Sequence, residues 1–240
     1  FGAPVSALSV DENIVRVEVR PAPQAGNLAR IAFDSAVAAP EVDNQLRTLR
    51  APAPTDISLY RAPGESVLHA FGSIATNAGT QYYRLAAHDP ALIAVEQLRS
   101  ALERQGVSVQ GKSRSLYWPR QDTALHDDKI QRIADVWSPP LAEIVRHGLK
   151  VSQNLYMQNL LLMVGAKAAA DEREAGETSP AFRSSESRGI QALRSYLRRI
   201  GVPLDGVLIE DGPGLSRRNL TSPASLAGLL LRVGDSPGAK

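Results

Sequence analysis

Lys150-Val151-Ser152-Gln153-Asn154-Leu155-Tyr156 is a short polar break between two apolar segments of helical period, and its reading decides the fold of the second half of the chain. Upstream, Ser138-Pro139-Pro140 opens a helix that carries Leu141, Ile144, Val145 and Leu149 on one face and stops around residues 148–151. Downstream, a second apolar helix is expected from Leu155 to about Val164. Ser152 and Asn154 thus fall at a junction between two helices. Further along, residues 171–189 are charged, serine-rich and poor in apolar groups, which predicts an exposed loop. A helix from about Ile190 to Ile200 should point Leu193, Tyr196 and Leu197 inward and end at Gly201. Val207-Leu208-Ile209 has the composition of a short buried strand, and Ser222-Pro223 of a helix cap and first turn. Between them, Asp211-Gly212-Pro213-Gly214-Leu215-Ser216-Arg217 begins with a turn.

The first half reads as strand-rich with one helix. Val15, Val17 and Val19 alternate with Arg16, Glu18 and Arg20, the period-two pattern of a half-buried strand. Residues 34–56, rich in alanine, proline and small polar groups, give no periodicity to read. Segments 57–60 and 67–71 flank Pro63-Gly64, consistent with two strands and a turn, and Tyr82 to Ala87 predicts a further strand. Asp89-Pro90 supplies an N-cap and a first-turn proline; Leu92, Val95, Leu98 and Leu102 follow at helical spacing, with Gly106 at the C-terminal cap. Val107 and Val109 return to a strand pattern, making a strand, helix, strand unit of α+β type. The polar stretch from Gly111 to Val136 is the expected domain boundary.

Composition narrows the classes of function. A chain of 240 residues with 43% hydrophobic content can bury one or two ordinary cores. The net charge of +2 is small and both signs are mixed along the chain, so there is no electrostatic case for nucleic acid. The absence of cysteine excludes disulfides and thiolate metal sites, and the histidines show no metal-ligand spacing, so neither metal nor cofactor is expected. No apolar run approaches the ~18 residues of a membrane helix. A start at Phe1, with no signal peptide, is what a processed or excised segment would show.

Two motifs in this order, Ser152-x-Asn154 and Asp211-Gly-x-Gly214-Leu-Ser216-Arg217, resemble the D-alanyl-D-alanine carboxypeptidase/endopeptidase family of the penicillin-binding protein 4 (DacB-like, serine peptidase S13) type. Three further segments are similar to that family: Phe1 to Ser9, the helix start at His88-Asp89-Pro90, and Ser138-Pro139-Pro140-Leu141. The resemblance implies an α+β fold in which a penicillin-binding, serine β-lactamase-like transpeptidase domain is split by a strand-rich insertion. Residues 1–120 would then be insertion, in two small subdomains with the second at about 34–78, and residues 121–240 part of the catalytic domain. It implies a periplasmic enzyme acting on peptidoglycan stem peptides, acylated by β-lactams when complete.

Hydrolysis of a D-Ala-D-Ala amide needs an activated serine, a proton donor for the leaving amine and an anchor for the terminal carboxylate. In the family, Ser-x-x-Lys provides nucleophile and base, Ser-x-Asn a relaying hydroxyl and a carboxamide for the substrate peptide, and Lys-Thr/Ser-Gly the cation. The middle box alone is present here. The five lysines are Lys112, Lys129, Lys150, Lys167 and Lys240; the residues three before them are Val109, His126, His147, Val164 and Pro237, and none is followed by Thr-Gly or Ser-Gly. The chain by itself is therefore expected not to acylate.

Ser152 and Asn154 are the catalytic candidates by this resemblance, while Lys150, Ser216 and Arg217 are candidates for the substrate cleft. Asp211, Gly212 and Gly214 are expected to build a turn. Tyr117 and Trp118, beside Arg114 and Arg120, suit glycan stacking or a core role. Two other functions remain open on sequence: a truncated pseudoenzyme serving as a cell-wall binding or scaffolding module, and an unrelated α+β interaction domain. Missing strands would leave sheet edges and apolar helix faces uncovered, so self-association is also expected.

Overall fold

The computed structural model describes residues 3–37, 39–117, 131, 133–176 and 182–234. Trp118 and Arg120, with much of the polar stretch after Gly111, lie outside the described residues. The chain divides into two compact units, Phe1–Ala134 and Asp135–Lys240.

Among the described residues, the first unit holds seven strands and one α-helix: β1 (Ile14–Arg20), β2 (Arg30–Phe33), β3 (Glu41–Asn44), β4 (Arg47–Leu49), β5 (Asp56–Tyr60), β6 (Val67–Ala75), β7 (Gln81–Ala86) and α1 (Pro90–Arg104). The valine alternation becomes β1, the centre of an antiparallel sheet ordered β2-β1-β7, with Val17 opposite Phe33 on one side and Tyr83 on the other. The second sheet is built around β6, which pairs in parallel with β3 and then β4 and antiparallel with β5. Val17, Val19, Ala29, Leu46 and Ile74 form the buried core, with Ile31, Phe33, Ile57, Leu59, Tyr83 and Leu85 packed around them. Strands β2, β3 and β4 arise from short segments whose burial pattern is too brief to show a period; their partners, not their own sequence, select the extended state.

Helix α1 starts as its cap predicts: the Asp89 carboxylate accepts the Leu92 N–H at 3.0 Å, and Pro90 occupies the first turn. It ends in a Schellman turn, with Gly106 at φ +80° and Val107 N–H bonded to Leu102 C=O at 3.0 Å. The buried face differs from the expected one. Pro90, Ile93 and Ala94 turn inward, Ile93 clustering with Val15 and Ala87, whereas Leu98 is 59% exposed. Nor do Val107 and Val109 form a strand; the carbonyls of Val109 and Gly111 take guanidinium hydrogen bonds from Arg99 at 2.8 and 2.6 Å instead of pairing with a neighbour.

The second unit is helical: α2 (Leu141–Lys150), α3 (Asn154–Glu174), α4 (Ser185–Arg199) and α5 (Pro223–Gly234). Helix α3 runs ten residues past the expected end at Val164, and α4 begins five before the expected start. Within the predicted loop over 171–189, residues 171–174 and 185–189 are thus helix ends. Alanines 166 and 168–170 offer no break, a Lys167–Asp171 ion pair spans one turn, and Ser184 caps α4 by accepting the Ser187 N–H at 3.1 Å. Tyr196 is 49% exposed rather than inward, its ring lying under the Arg199 guanidinium at 5.2 Å. The expected strand at 207–209 reduces to a single antiparallel bridge, Leu208 with Leu220, with Val207 buried and Leu208 outside. Ser222 caps α5, accepting the Ser225 N–H at 3.1 Å.

Helices α3 and α4 make the principal contact of this unit through two glycines. A Cβ on Gly165 would overlap the Ser185 carbonyl oxygen, and one on Gly189 would overlap that of Leu161. Close backbone approach is possible because neither position carries a side chain.

Candidate functional site

Ser152 occupies the left-handed residue of a Schellman turn that ends α2. Its φ is +55°, its N–H bonds to Leu149 C=O at 3.4 Å, and Gln153 N–H bonds to Gly148 C=O at 2.8 Å. The equivalent residues at the ends of α1 and α4 are Gly106 and Gly201, at φ +80° and +78°. A serine in this conformation carries a strain of about 1–2 kcal/mol that glycine avoids. Gln153 then serves as the N-cap of α3, and Asn154 is that helix's first residue. The chain is thus reversed between two helices in three residues, with Ser152 at the apex.

Ser152 is exposed and Asn154 half-buried. Among the described residues, neither the Ser152 hydroxyl nor the Asn154 carboxamide has a hydrogen-bond partner. The corner behind them is packed tightly: Gly148 lies against Tyr156 and Met157, and the His147 and Tyr156 rings are 5.8 Å apart. Lys150 is the last residue of α2 and is exposed.

The second motif folds around one carboxylate. Asp211 accepts N–H groups from Gly214 at 3.0 Å, Leu215 at 3.0 Å and Ser216 at 2.8 Å, and the Asn219 side-chain amide at 2.6 Å. Gly214, at φ +78°, makes the turn that lets these donors converge. Ser216 is half-buried and its hydroxyl accepts the Arg218 N–H at 3.2 Å; Arg217 is exposed and unpaired among the described residues.

The second motif docks on α3 through Gly212. Its N–H donates to Gln158 Oε1 at 2.8 Å, and a Cβ there would overlap the Met157 carbonyl oxygen. The loop therefore rests on the first turns of α3. Residues 154, 158, 161 and 165 form one stripe on that helix. Its far end, Leu161 and Gly165, packs on α4; Gln158 touches both Gly212 and Glu186; Asn154 stands free at the near end. Sequence reasoning missed Gln158, Glu186 and Asn219. The spacing of Asn154 and Gln158 by four residues was the available signal for the first; nothing local marks the other two. Ser216 and Arg217 follow the docked loop, but no hydrogen bond among the described residues joins them to Ser152 or Asn154.

Elsewhere, His69 Nδ1 lies 3.0 Å from Asp43 Oδ2, and no group of three or more His, Asp or Glu among the described residues is arranged to hold a metal ion. No helix among the described residues is long and apolar enough to cross a membrane.

The chain is similar to known proteins along its whole length. The D-alanyl-D-alanine carboxypeptidase of Actinomadura sp. (strain R39) is 27% identical over 246 aligned residues, covering 100% of this chain and 42% of that protein. Two crystal structures of penicillin-binding protein 4 (dacB) from Haemophilus influenzae share the fold at 20% identity. One, complexed with a β-lactam, has a TM-score of 0.72 over 98% of this chain and 49% of that one; the other has 0.68 over 97% and 48%. The chain thus spans less than half the length of these relatives. The profile of the D-Ala-D-Ala carboxypeptidase 3 (S13) family matches residues 1–240 in full, and the chain belongs to that family.

Proposed function

We propose that this chain is a segment of a periplasmic serine-type D-alanyl-D-alanine carboxypeptidase/endopeptidase that cleaves peptidoglycan stem peptides through an acyl-serine intermediate. The observation that carries the reading is the paired presentation of Ser152 and Asn154 on a strained helix–helix turn, beside a loop locked by Asp211. Strain of this kind at an exposed, unpaired polar residue is characteristic of functional sites. In this role the Ser152 hydroxyl relays a proton toward the leaving amine, and the Asn154 carboxamide hydrogen-bonds the substrate peptide. Lys150, two residues before Ser152, and Arg217, at the end of the docked loop, carry the charge suited to a carboxylate-bearing peptide. Residues 121–240 belong to the catalytic domain and residues 1–120 to the insertion.

Neither Ser-x-x-Lys nor Lys-Thr-Gly occurs within these 240 residues, so this reading requires the nucleophile and the carboxylate anchor to be supplied by other parts of the full-length protein. The segment is therefore inactive alone. Fluorescent-penicillin labelling of this chain and of the full-length gene product, read by intact mass, tests the proposal. An adduct on the longer protein alone is the expected result. No adduct on either would favour a pseudoenzyme that binds or scaffolds the cell wall; an adduct on this chain would overturn the missing-nucleophile argument.

A further inference from the structure

Gln158 joins three parts of the second unit near Asn154. It projects from α3, accepts the Gly212 N–H at 2.8 Å through Oε1, and donates through Nε2 to Glu186 in the first turn of α4 at 2.6 Å. It stands four residues after Asn154, so the two side chains share a helix face with Cβ atoms about 5–6 Å apart. A carboxamide suits the place because it offers one acceptor and one donor in a single plane. Alanine would leave the Gly212 N–H without its partner, and the Asp211 loop, internally rigid, would lose a polar attachment to the helix.

We propose that Gln158 is a positioning residue for the Ser152/Asn154 site: it sets the distance between the Asp211–Ser216 loop and the helix face that presents Asn154, making that loop one wall of the peptide-binding cleft. This rests on the functional reading above. Misplacement of a catalytic group by about an ångström suffices to cost an order of magnitude or more in rate.

The test uses the full-length protein and four forms: wild type, Gln158→Ala, Gln158→Glu, and the exchange Gln158→Glu with Glu186→Gln. Acylation by a fluorescent penicillin and turnover of a D-Ala-D-Ala peptide are followed, with thermal unfolding as a check on folding. Gln158→Ala should acylate on the order of tenfold more slowly. Gln158→Glu places two carboxylates at hydrogen-bond distance, so its rate should fall as pH rises and recover toward acid, where the pair shares a proton. The exchange restores both hydrogen bonds: the carboxylate now on α3 accepts from the Gly212 N–H and from the carboxamide now on α4. It should return the rate to within about twofold of wild type. A wild-type protein that acylates while Gln158→Ala acylates equally well would overturn the inference alone, as would an exchange variant that folds but recovers no activity. A wild-type protein that never acylates would overturn the functional proposal, and this inference with it.

Discussion

At Ser152 the backbone conformation favours glycine, and the two comparable turns at Gly106 and Gly201 use it. Replacing Ser152 by glycine should therefore stabilise the second unit by about 0.5–1 kcal/mol, the relief of left-handed strain less the greater freedom of the unfolded chain. In the full-length protein the same change should abolish acylation. Ser152→Ala should lose activity without gaining stability, and urea unfolding of both variants separates the two effects. Asp211 behaves oppositely, as a structural acceptor: Asp211→Ala removes the partner of four donors and should cost about 2–3 kcal/mol. A loss below ~0.5 kcal/mol would contradict the loop geometry. Asp89 is similarly engaged. Burial alone would raise its pKa, but hydrogen bonds from Ser115, the Leu92 N–H and Tyr117, with His88 nearby, bring it below the ordinary carboxylate value. A carboxyl depressed on folding contributes stability that is present above its unfolded pKa, about 3.9, and lost as pH falls through the lower folded value. Denaturant midpoints should fall with acid below about pH 4, and less so in Asp89→Asn, which keeps a capping oxygen but does not titrate.

At the level of elements, the α3–α4 crossing depends on Gly165 and Gly189, where an added methyl group would meet backbone rather than a movable side chain. Either glycine to alanine should cost at least ~2 kcal/mol, against the small gain expected for Gly→Ala on an exposed helix. Circular dichroism melts of the two variants would decide this; an unchanged midpoint would mean that the helices do not pack as described. Under the proposed function the crossing matters because it fixes the axis of α3, and with it the direction in which Asn154 faces. The helix ends were legible wherever a cap residue is chemically distinctive: Asp89-Pro90, Gly106, Gly201 and Ser222-Pro223 all act as their residue types demand. The lengths of α3 and α4 were not. A serine-rich, charged stretch has the composition of a loop, and only the packed partner helix makes its helical state favourable.

For the molecule as a whole, apolar side chains at α2 and α5 remain uncovered: Leu141, Leu149, Leu226, Leu230 and Leu231 are all at least half exposed. Since the chain matches only 42% of its Actinomadura relative, a larger protein has the means to cover them. Produced alone, the chain should associate in a concentration-dependent way, visible by light scattering after gel filtration. Amide exchange should protect β1 and β6 of the first unit more strongly than α2 and α5. A monomer with uniformly slow exchange would be inconsistent with these exposed faces.

Residue types with a private chemistry were readable without coordinates: the valine alternation of β1, the caps, the Ser-x-Asn and Asp-Gly-x-Gly boxes, and the absence of any Ser-x-x-Lys. These signals are local, arising from backbone geometry and hydrogen-bond valence within a few residues. Other features were set only by tertiary structure: the face α1 buries, the short strands β2 to β4, the exposure of Tyr196, and the clamp of Gln158 on Gly212 and Glu186. Each depends on partners distant along the chain, as with Gln158 and Gly212 at a separation of 54. Sequence alone named the box that carries Ser152 and Asn154; the packing of two helices and one loop decided how they are held, because close approach and shared donors exist only once distant segments meet.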